Sequence, residues 1–305
     1  MQLGLKLSLA RTIALAGEQL QTKLPISVVI LTKNEITNIE RCIRSVEACD
    51  EIVIVDDGST DGTKEKAAEL GARVLENRFL SFAKQRNWSL SFGELRNTWA
   101  IMLDADEAAT PQFLEEVAQV VAKSPASVVA FKTSRKTMLG AKWLRFADEY
   151  PCWIMRVVRV GHAEFADAGH GEAPVPPLDG EIGVIRQPFL HFAFSHGLSQ
   201  WLNRHIKYAE REAALEVANL EALNWRNLIS RDASKRRFVL RGLSRRLPMR
   251  PQLRFLYHYL LRGGFLDGRE GFIFSLLKSI YESMIIAKRW ELQTEEKSPM
   301  PVANT

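Results

Sequence analysis

Three apolar runs, each closed by a cluster of polar groups, constrain this chain more than any other feature. ISVVILT (Ile26–Thr32), EIVIVDD (Glu51–Asp57) and TWAIMLDADE (Thr98–Glu107) are rich in β-branched residues and do not alternate with polar ones. That is the pattern of strands buried on both faces of a parallel sheet. Between the first two, Ile36, Ile39, Ile43 and Val46 recur at helical spacing. After the second, GSTDGTKEKAAELG predicts a helix closed by Gly71, with Ser59 or Thr60 as its cap. ARVLEN predicts a short strand, Ala83–Phe92 a helix, Thr110-Pro111 the start of a helix through Val121, and SVVAFKT a further strand. Strands alternating with helices predict an α/β fold with a mostly parallel sheet.

Beyond Lys132 this rhythm breaks. Aromatic and basic residues mix through Trp143–Arg159, a Gly/Pro-rich stretch runs from Gly161 to Gly183, and helices are predicted over Leu198–Leu220 and Leu253–Trp290. We therefore expect a catalytic domain over residues 22–195 and a helical, basic region over 196–292. Charge divides the same way. The chain of 305 residues carries a net +5, yet Trp201–Arg289 alone holds 18 Lys/Arg against 8 Asp/Glu. The rest of the chain is therefore net acidic. At 46% hydrophobic and 25% charged, the composition is that of a globular protein rather than a disordered, collagen-like or polytopic membrane one. Cys42, Cys49 and Cys152 form neither a disulfide framework nor a C-x-x-C zinc motif, which fits a reducing cytoplasm. Arg11 interrupts the apolar N-terminus, so no signal peptide is expected, and no uncharged stretch is long enough to span a bilayer.

The chemistry is expected at the carboxyl ends of the strands, where open α/β sheets bind ligands. The ends read Thr32-Lys33-Asn34-Glu35, Asp56-Asp57-Gly58-Ser59 and Asp104-Ala105-Asp106-Glu107. So many carboxylates in one crevice are costly unless a cation or hydrogen-bond donors enter it. A divalent metal carrying a diphosphate meets that need, since Mg²⁺ or Mn²⁺ takes a few carboxylates plus phosphate oxygens. No G-x-G-x-x-G follows the first strand, which disfavours a dinucleotide-dependent dehydrogenase.

The series ISVVILTKNE, EIVIVDDGSTDGT, KQRN and WAIMLDADE resembles the family 2 glycosyltransferases, inverting nucleotide-sugar enzymes of the GT-A fold. Later segments, among them RFADEYPCWIMRVVR, AGHGEAPV, FLHFAFS and QWLNRHIKYAE, are most similar to the subgroup containing lipopolysaccharide core glucosyltransferases. The resemblance implies a nucleotide-sugar donor, usually a UDP-sugar, a divalent metal (Mg²⁺ or Mn²⁺) and a lipid-linked saccharide acceptor. It implies nucleotide-sugar contacts from Thr32, Asn34, Glu35, Asp56, Asp57, Lys84, Arg86 and Asp104, with Asp57 at the nucleobase. Lys33 stands where many relatives carry Tyr. Asp106, with Asp104, is the expected metal ligand. An inverting transfer needs a base for the acceptor hydroxyl. Glu172, in the Gly-His-Gly-Glu segment, resembles the subgroup's acid at this point, with Asp167 and Glu149 as alternatives. His170 and Arg156 are candidate diphosphate or acceptor contacts, and His191 reads as structural.

The tract Arg226–Arg254 holds ten Lys/Arg against only Asp232. Nothing in it resembles a nucleic-acid reading module, so an anionic membrane surface is the expected partner. This gives a peripheral enzyme on the inner face of the cytoplasmic membrane. A polyprenyl-phosphate sugar transferase and a catalytically silent scaffold of the same fold are the alternatives.

Overall fold

The computed structural model describes residues 23–168, 171–175, 180–219, 229, 239, 242, 247 and 249–297. Its centre is β1 (Leu24–Thr32), which pairs in parallel with both β2 (Cys49–Asp56) and β4 (Trp99–Asp104). Outward from β2 lies β3 (Arg73–Glu76), also parallel. On the other side β8 (Trp153–Arg159) runs antiparallel between β4 and β6 (Val128–Leu139). Two short strands finish that edge: β12 (Phe189–His191), parallel to β6, and β5 (Glu107–Ala108), antiparallel to β12. With β7 (Lys142–Trp143) and β11 (Glu181–Val184), both on β6, the sheet has ten strands. A separate hairpin joins β9 (Phe165–Ala168) to β10 (Gly171–Pro174).

Both faces of the sheet are covered, as the continuous apolar runs require. Ile26, Val28, Ile30, Ile54, Ile101 and Leu103 pack one way, against α1 (Ile39–Ser45) and α4 (Pro111–Lys123). Val29, Val53, Val55, Ala100 and Met102 pack the other way, with Ala83 of α3 (Phe82–Phe92). The register sets the site: Thr32 lies opposite Asp56 and Leu31 opposite Asp104, so the three polar strand ends share one edge.

Local signals held in part. Thr110 caps α4 by accepting from the Phe113 N–H at 3.1 Å, with Pro111 next. The helix α2 (Thr63–Glu69) departs from expectation, because neither Ser59 nor Thr60 caps it. Gly62, at φ 92°, occupies the cap position, and Ser59 is drawn away to Asp56. Ile36 lies before α1 rather than in it. The strand predicted at SVVAFKT runs on to Leu139.

After the sheet come α5 (Gly197–Asn219), α6 (Arg250–Leu256) and α7 (Arg269–Lys297). The single helix expected over Leu253–Trp290 is thus interrupted. Between α6 and α7 the chain makes a π turn, Tyr257–Leu261, and a 3-10 turn, Gly264–Asp267, reversing at Gly263 with φ 79°. Asp267 holds this reversal down by accepting the backbone N–H groups of Arg145, Phe146 and Ala147 at 3.1, 2.8 and 2.8 Å. Most of the basic tract Arg226–Arg254 lies outside the described residues, as do residues 1–22 and the tail from 298. Among the described residues no helix is long and apolar enough to cross a membrane.

Candidate active site

At the end of β1 and β2 the chain ties its loops together. Asp56 is fully buried, accepting from the Thr32 hydroxyl at 2.8 Å and from the Ser59 N–H and hydroxyl at 2.6 and 2.5 Å. Thr32 and Asp56 are therefore spent on framing the crevice. Asn34, at φ 55°, accepts from the Thr60 N–H at 2.9 Å and donates its own N–H to Ser59 Oγ at 2.8 Å. Asp57 fixes the next loop by accepting from the Phe79 N–H at 2.9 Å. Lys33 Nζ closes over it, 3.5 Å from Asp57 Oδ2 and bonded to the Asp57 and Gly58 carbonyls.

Glu35 sits deeper. Asn38 Nδ2 donates to its Oε2 at 2.6 Å and His196 Nε2 lies 2.9 Å from the same oxygen. Burial raises its carboxyl above the ordinary range, outweighing the opposing hydrogen bonds from Asn38 and His196.

The D-x-D strand end splits its acids between two environments. Asp104 turns to two buried guanidiniums, receiving Arg86 Nη2 on Oδ1 at 2.7 Å and Arg156 Nη2 on Oδ2 at 3.0 Å. Arg156 also donates to Glu107 Oε1 at 2.8 Å, and the Asp104 N–H donates to Glu107 Oε2 at 2.9 Å. From the hairpin, Glu172 Oε1 accepts Arg86 Nε at 2.8 Å and Arg156 Nη1 at 3.3 Å. Burial opposes ionisation of Asp104, but Arg86 and Arg156 outweigh it and hold the carboxyl well below its usual range. Glu107 moves the other way: burial raises it despite Arg156. Asp106 faces elsewhere, its Oδ2 3.5 Å from His191 Nε2. Burial raises this acid as well, yet His191 and, more weakly, Arg204 of α5 bring it below its ordinary value.

The structure thus brings together Arg86, Asp104, Arg156 and Glu172, all expected in the site, and adds Glu107, which the sequence did not single out. His191 read as structural; it stands beside Asp106. Both Asp104 oxygens carry guanidiniums, whereas Asp106 faces His191. Lys84, two residues before Arg86 on α3 and so roughly on the opposite side of the helix, is exposed. Asp167 pairs with Glu172 across the hairpin and is exposed. Glu149 is an exposed surface acid, 3.8 Å from Arg254. His170 lies outside the described residues. Lone histidines in a short strand and its following turn have no spacing signature, which is why His191 read as structural and His196 was not singled out.

Comparison with known proteins identifies a domain within the chain. Residues 27–160 match the glycosyl transferase family 2. The chain carries a family 2 glycosyltransferase domain. It is a transferase enzyme, and its mostly parallel α/β sheet is the architecture expected of one. The chain is 25% identical to the lipopolysaccharide core biosynthesis glycosyltransferase LpsC of Rhizobium meliloti over 284 residues, 91% of this chain and 96% of that one. A glycosyltransferase of Rickettsia bellii is 37% identical over 98 residues, 32% of this chain and 33% of that relative. Against that protein the match spans only a third of its length. Among solved structures, glucosyl-3-phosphoglycerate synthase from Mycobacterium tuberculosis, in complex with Mn²⁺, UDP and glucosyl-3-phosphoglycerate, aligns with a TM-score of 0.32 at 24% identity. The alignment covers 36% of this chain and 44% of that one.

Proposed function

We propose that this glycosyltransferase moves a sugar, with inversion, from a nucleotide-sugar, foremost a UDP-sugar, to a lipid-linked saccharide such as a lipopolysaccharide core. The observation that carries the reading is the split of the D-x-D pair at the strand ends, with Asp104 neutralised by guanidiniums and Asp106 left beside His191. The near full-length similarity to LpsC supports the acceptor class.

In this reading residues 22–195 bind the donor and 196–292 face the acceptor and membrane. Asp57, with Lys33 closed over it, meets the base, while Asn34, Glu35 and Arg86 line the ribose and phosphate side. Among the described residues no group of three or more His, Cys, Asp or Glu side chains forms a metal cage. The Asp106 carboxylate and the His191 imidazole fit a divalent ion that takes its remaining ligands from the diphosphate and water. When bound, that ion supplies charge neutralisation of the leaving diphosphate.

The acceptor hydroxyl oxygen forms the new bond to the anomeric carbon as the bond to the diphosphate breaks. The hydroxyl proton passes to a carboxylate, and the nucleoside diphosphate leaves with the electron pair. The hairpin offers Asp167 and Glu172 for that proton. Glu172 has its Oε1 committed to two guanidiniums, which favours the exposed Asp167. The enzyme acts at the inner face of the cytoplasmic membrane, where a lipid-linked acceptor is presented.

A panel of nucleotide-sugars offered with lipid-linked core saccharides, read by nucleotide release and by the anomeric configuration of the product, tests the proposal. One donor giving an inverted linkage on the saccharide supports it. Transfer only to a polyprenyl phosphate, or to no acceptor, refutes it.

A further inference from the structure

The reversal between α6 and α7 is apolar where it meets solvent. Leu261 is 81% exposed, Leu266 58%, Leu260 53% and Phe265 51%, with Leu253, Leu256, Tyr257 and Phe272 also exposed around them. Scattered exposed leucines need no explanation, but a contiguous group of this size marks an interaction surface.

Beneath, the segment is closely packed and bonded to the sheet. Phe255 stacks on Tyr259 with ring centroids 5.3 Å apart, Phe272 meets both edge-on at 5.6 Å, and Phe265 meets Tyr259 edge-on at 6.4 Å. Its inner side is pinned to the sheet domain's loop 145–148 by Asp267. Arg262 adds bonds to the Phe146 and Asp148 carbonyls at 3.4 and 2.7 Å, and His258 Nδ1 lies 2.7 Å from the Ala147 carbonyl. A firm base beneath an apolar tip is the form of an inserting wedge rather than of a loose loop.

Charge says what the wedge meets. Tyr257–Leu266 contains no acid; Arg269 lies beside it, while Arg262 is turned inward to loop 145–148 and Arg254 is shared with Glu282 and Glu149. The nearest carboxylate in sequence, Asp267, is buried and turned inward. The chain entering α6 is the most basic part of the sequence. Apolar side chains at a tip with cations around it complement a bilayer whose acyl region lies beneath anionic headgroups.

We propose that Tyr257–Leu266 inserts as a wedge into the surface of an anionic bilayer, with Leu260, Leu261, Phe265 and Leu266 below the headgroups. This deepens the membrane-face reading above and does not depend on which sugar is transferred. Because the wedge is bonded to loop 145–148, insertion fixes the orientation of the sheet domain relative to the membrane. It does not merely tether the enzyme.

The test is sedimentation of the full chain with vesicles of phosphatidylcholine alone and of phosphatidylcholine with phosphatidylglycerol. L261S/F265S changes two side chains that are more than half exposed and should lower the thermal midpoint only slightly, through loss of the edge contact between Phe265 and Tyr259. Its partitioning onto the anionic vesicles should fall about tenfold or more, the effect of losing two large buried apolar groups. F92S, which removes an exposed aromatic from α3, should bind as wild type does. Donor hydrolysis should be equal in all three proteins, so a failed sugar-transfer reading stays separable from a failed wedge. Equal vesicle binding by wild type and L261S/F265S overturns the proposal. So does a wild-type dimer in light scattering that the double variant dissociates without change in vesicle binding, since a second copy would then be the occupant.

Discussion

Arg156 shows how far the site depends on single side chains. It is buried, and its guanidinium meets Asp104, Glu107 and Glu172 at once. Removing one partner of such a cluster strands the others without compensation, which costs about 3–5 kcal/mol. Arg156→Met should lower unfolding stability by that amount in denaturant titrations. Arg156→Lys should fold better but bind donor poorly, because an ammonium cannot reproduce the planar fork. Glu35 carries the opposite sign. Its folded pKa is raised, so its contribution favours the fold below the unfolded value of about 4.3 and is lost as pH rises through the folded value. Glu35→Gln should therefore raise the thermal midpoint at pH 7 to 8, and the gain should vanish near pH 4, where the wild-type carboxyl is already protonated. A gain that persists at pH 4 would mean that burial is not the cause. For Asp106, replacement by Asn should abolish transfer while leaving the thermal midpoint within about 2 °C, and titration of Mn²⁺ with nucleoside diphosphate should show the loss of metal-dependent binding.

Among the elements, legibility in the sequence followed the range of the interactions involved. The strands β1, β2 and β4 were readable because burial on both faces forces a continuous apolar run, and their polar ends located the crevice. Thr110-Pro111 was readable because capping is local. The cap of α2 was not, because Asp56 at the end of β2 competes for Ser59, and nothing in the segment itself signals that competition. Arg86 and Glu172 are 86 residues apart, so their ion pair exists only after the hairpin has docked on α3. The break between α6 and α7 had a visible marker, Gly263-Gly264, but its partner is loop 145–148, far away in sequence. His258 ties the same elements. Burial lowers its imidazole to about 4, with the neighbouring Ala147 carbonyl opposing. A depressed imidazole contributes stability above its unfolded value of about 6.5 and loses it as pH falls toward about 4. Hydrogen exchange over residues 257–268, corrected for intrinsic rates, should accelerate across that window while strands β1 and β4 stay protected. Uniform protection throughout would refute the link between His258 and the seating of the wedge.

For the whole molecule, charge and apolar surface would be complementary routes to the membrane proposed above. The helical region is strongly basic over residues 201–289, and the rest of the chain is net acidic. Coulomb attraction to anionic lipid is screened within about 10 Å at 0.1 M salt, whereas insertion of Leu261 and Phe265 is not. The two contributions therefore separate by salt. Lys235, Arg236, Arg237, Arg245 and Arg246 lie outside the described residues, but their charge is fixed by sequence. Replacing all five with Gln should weaken binding to anionic vesicles at low salt by orders of magnitude, at about 1 kcal/mol per residue near the surface. At 0.5 M salt the same variant should bind almost as wild type does, because the remaining attachment is apolar. The wedge variant should show the converse, binding about tenfold more weakly already at low salt and releasing as salt rises. Donor hydrolysis should change little in either protein, since the donor crevice proposed above is built chiefly from the ends of β1, β2 and β4. If the charge variant and wild type partition equally at low salt, the tract serves the acceptor or the fold rather than the membrane. The apolar wedge would then be the sole anchor.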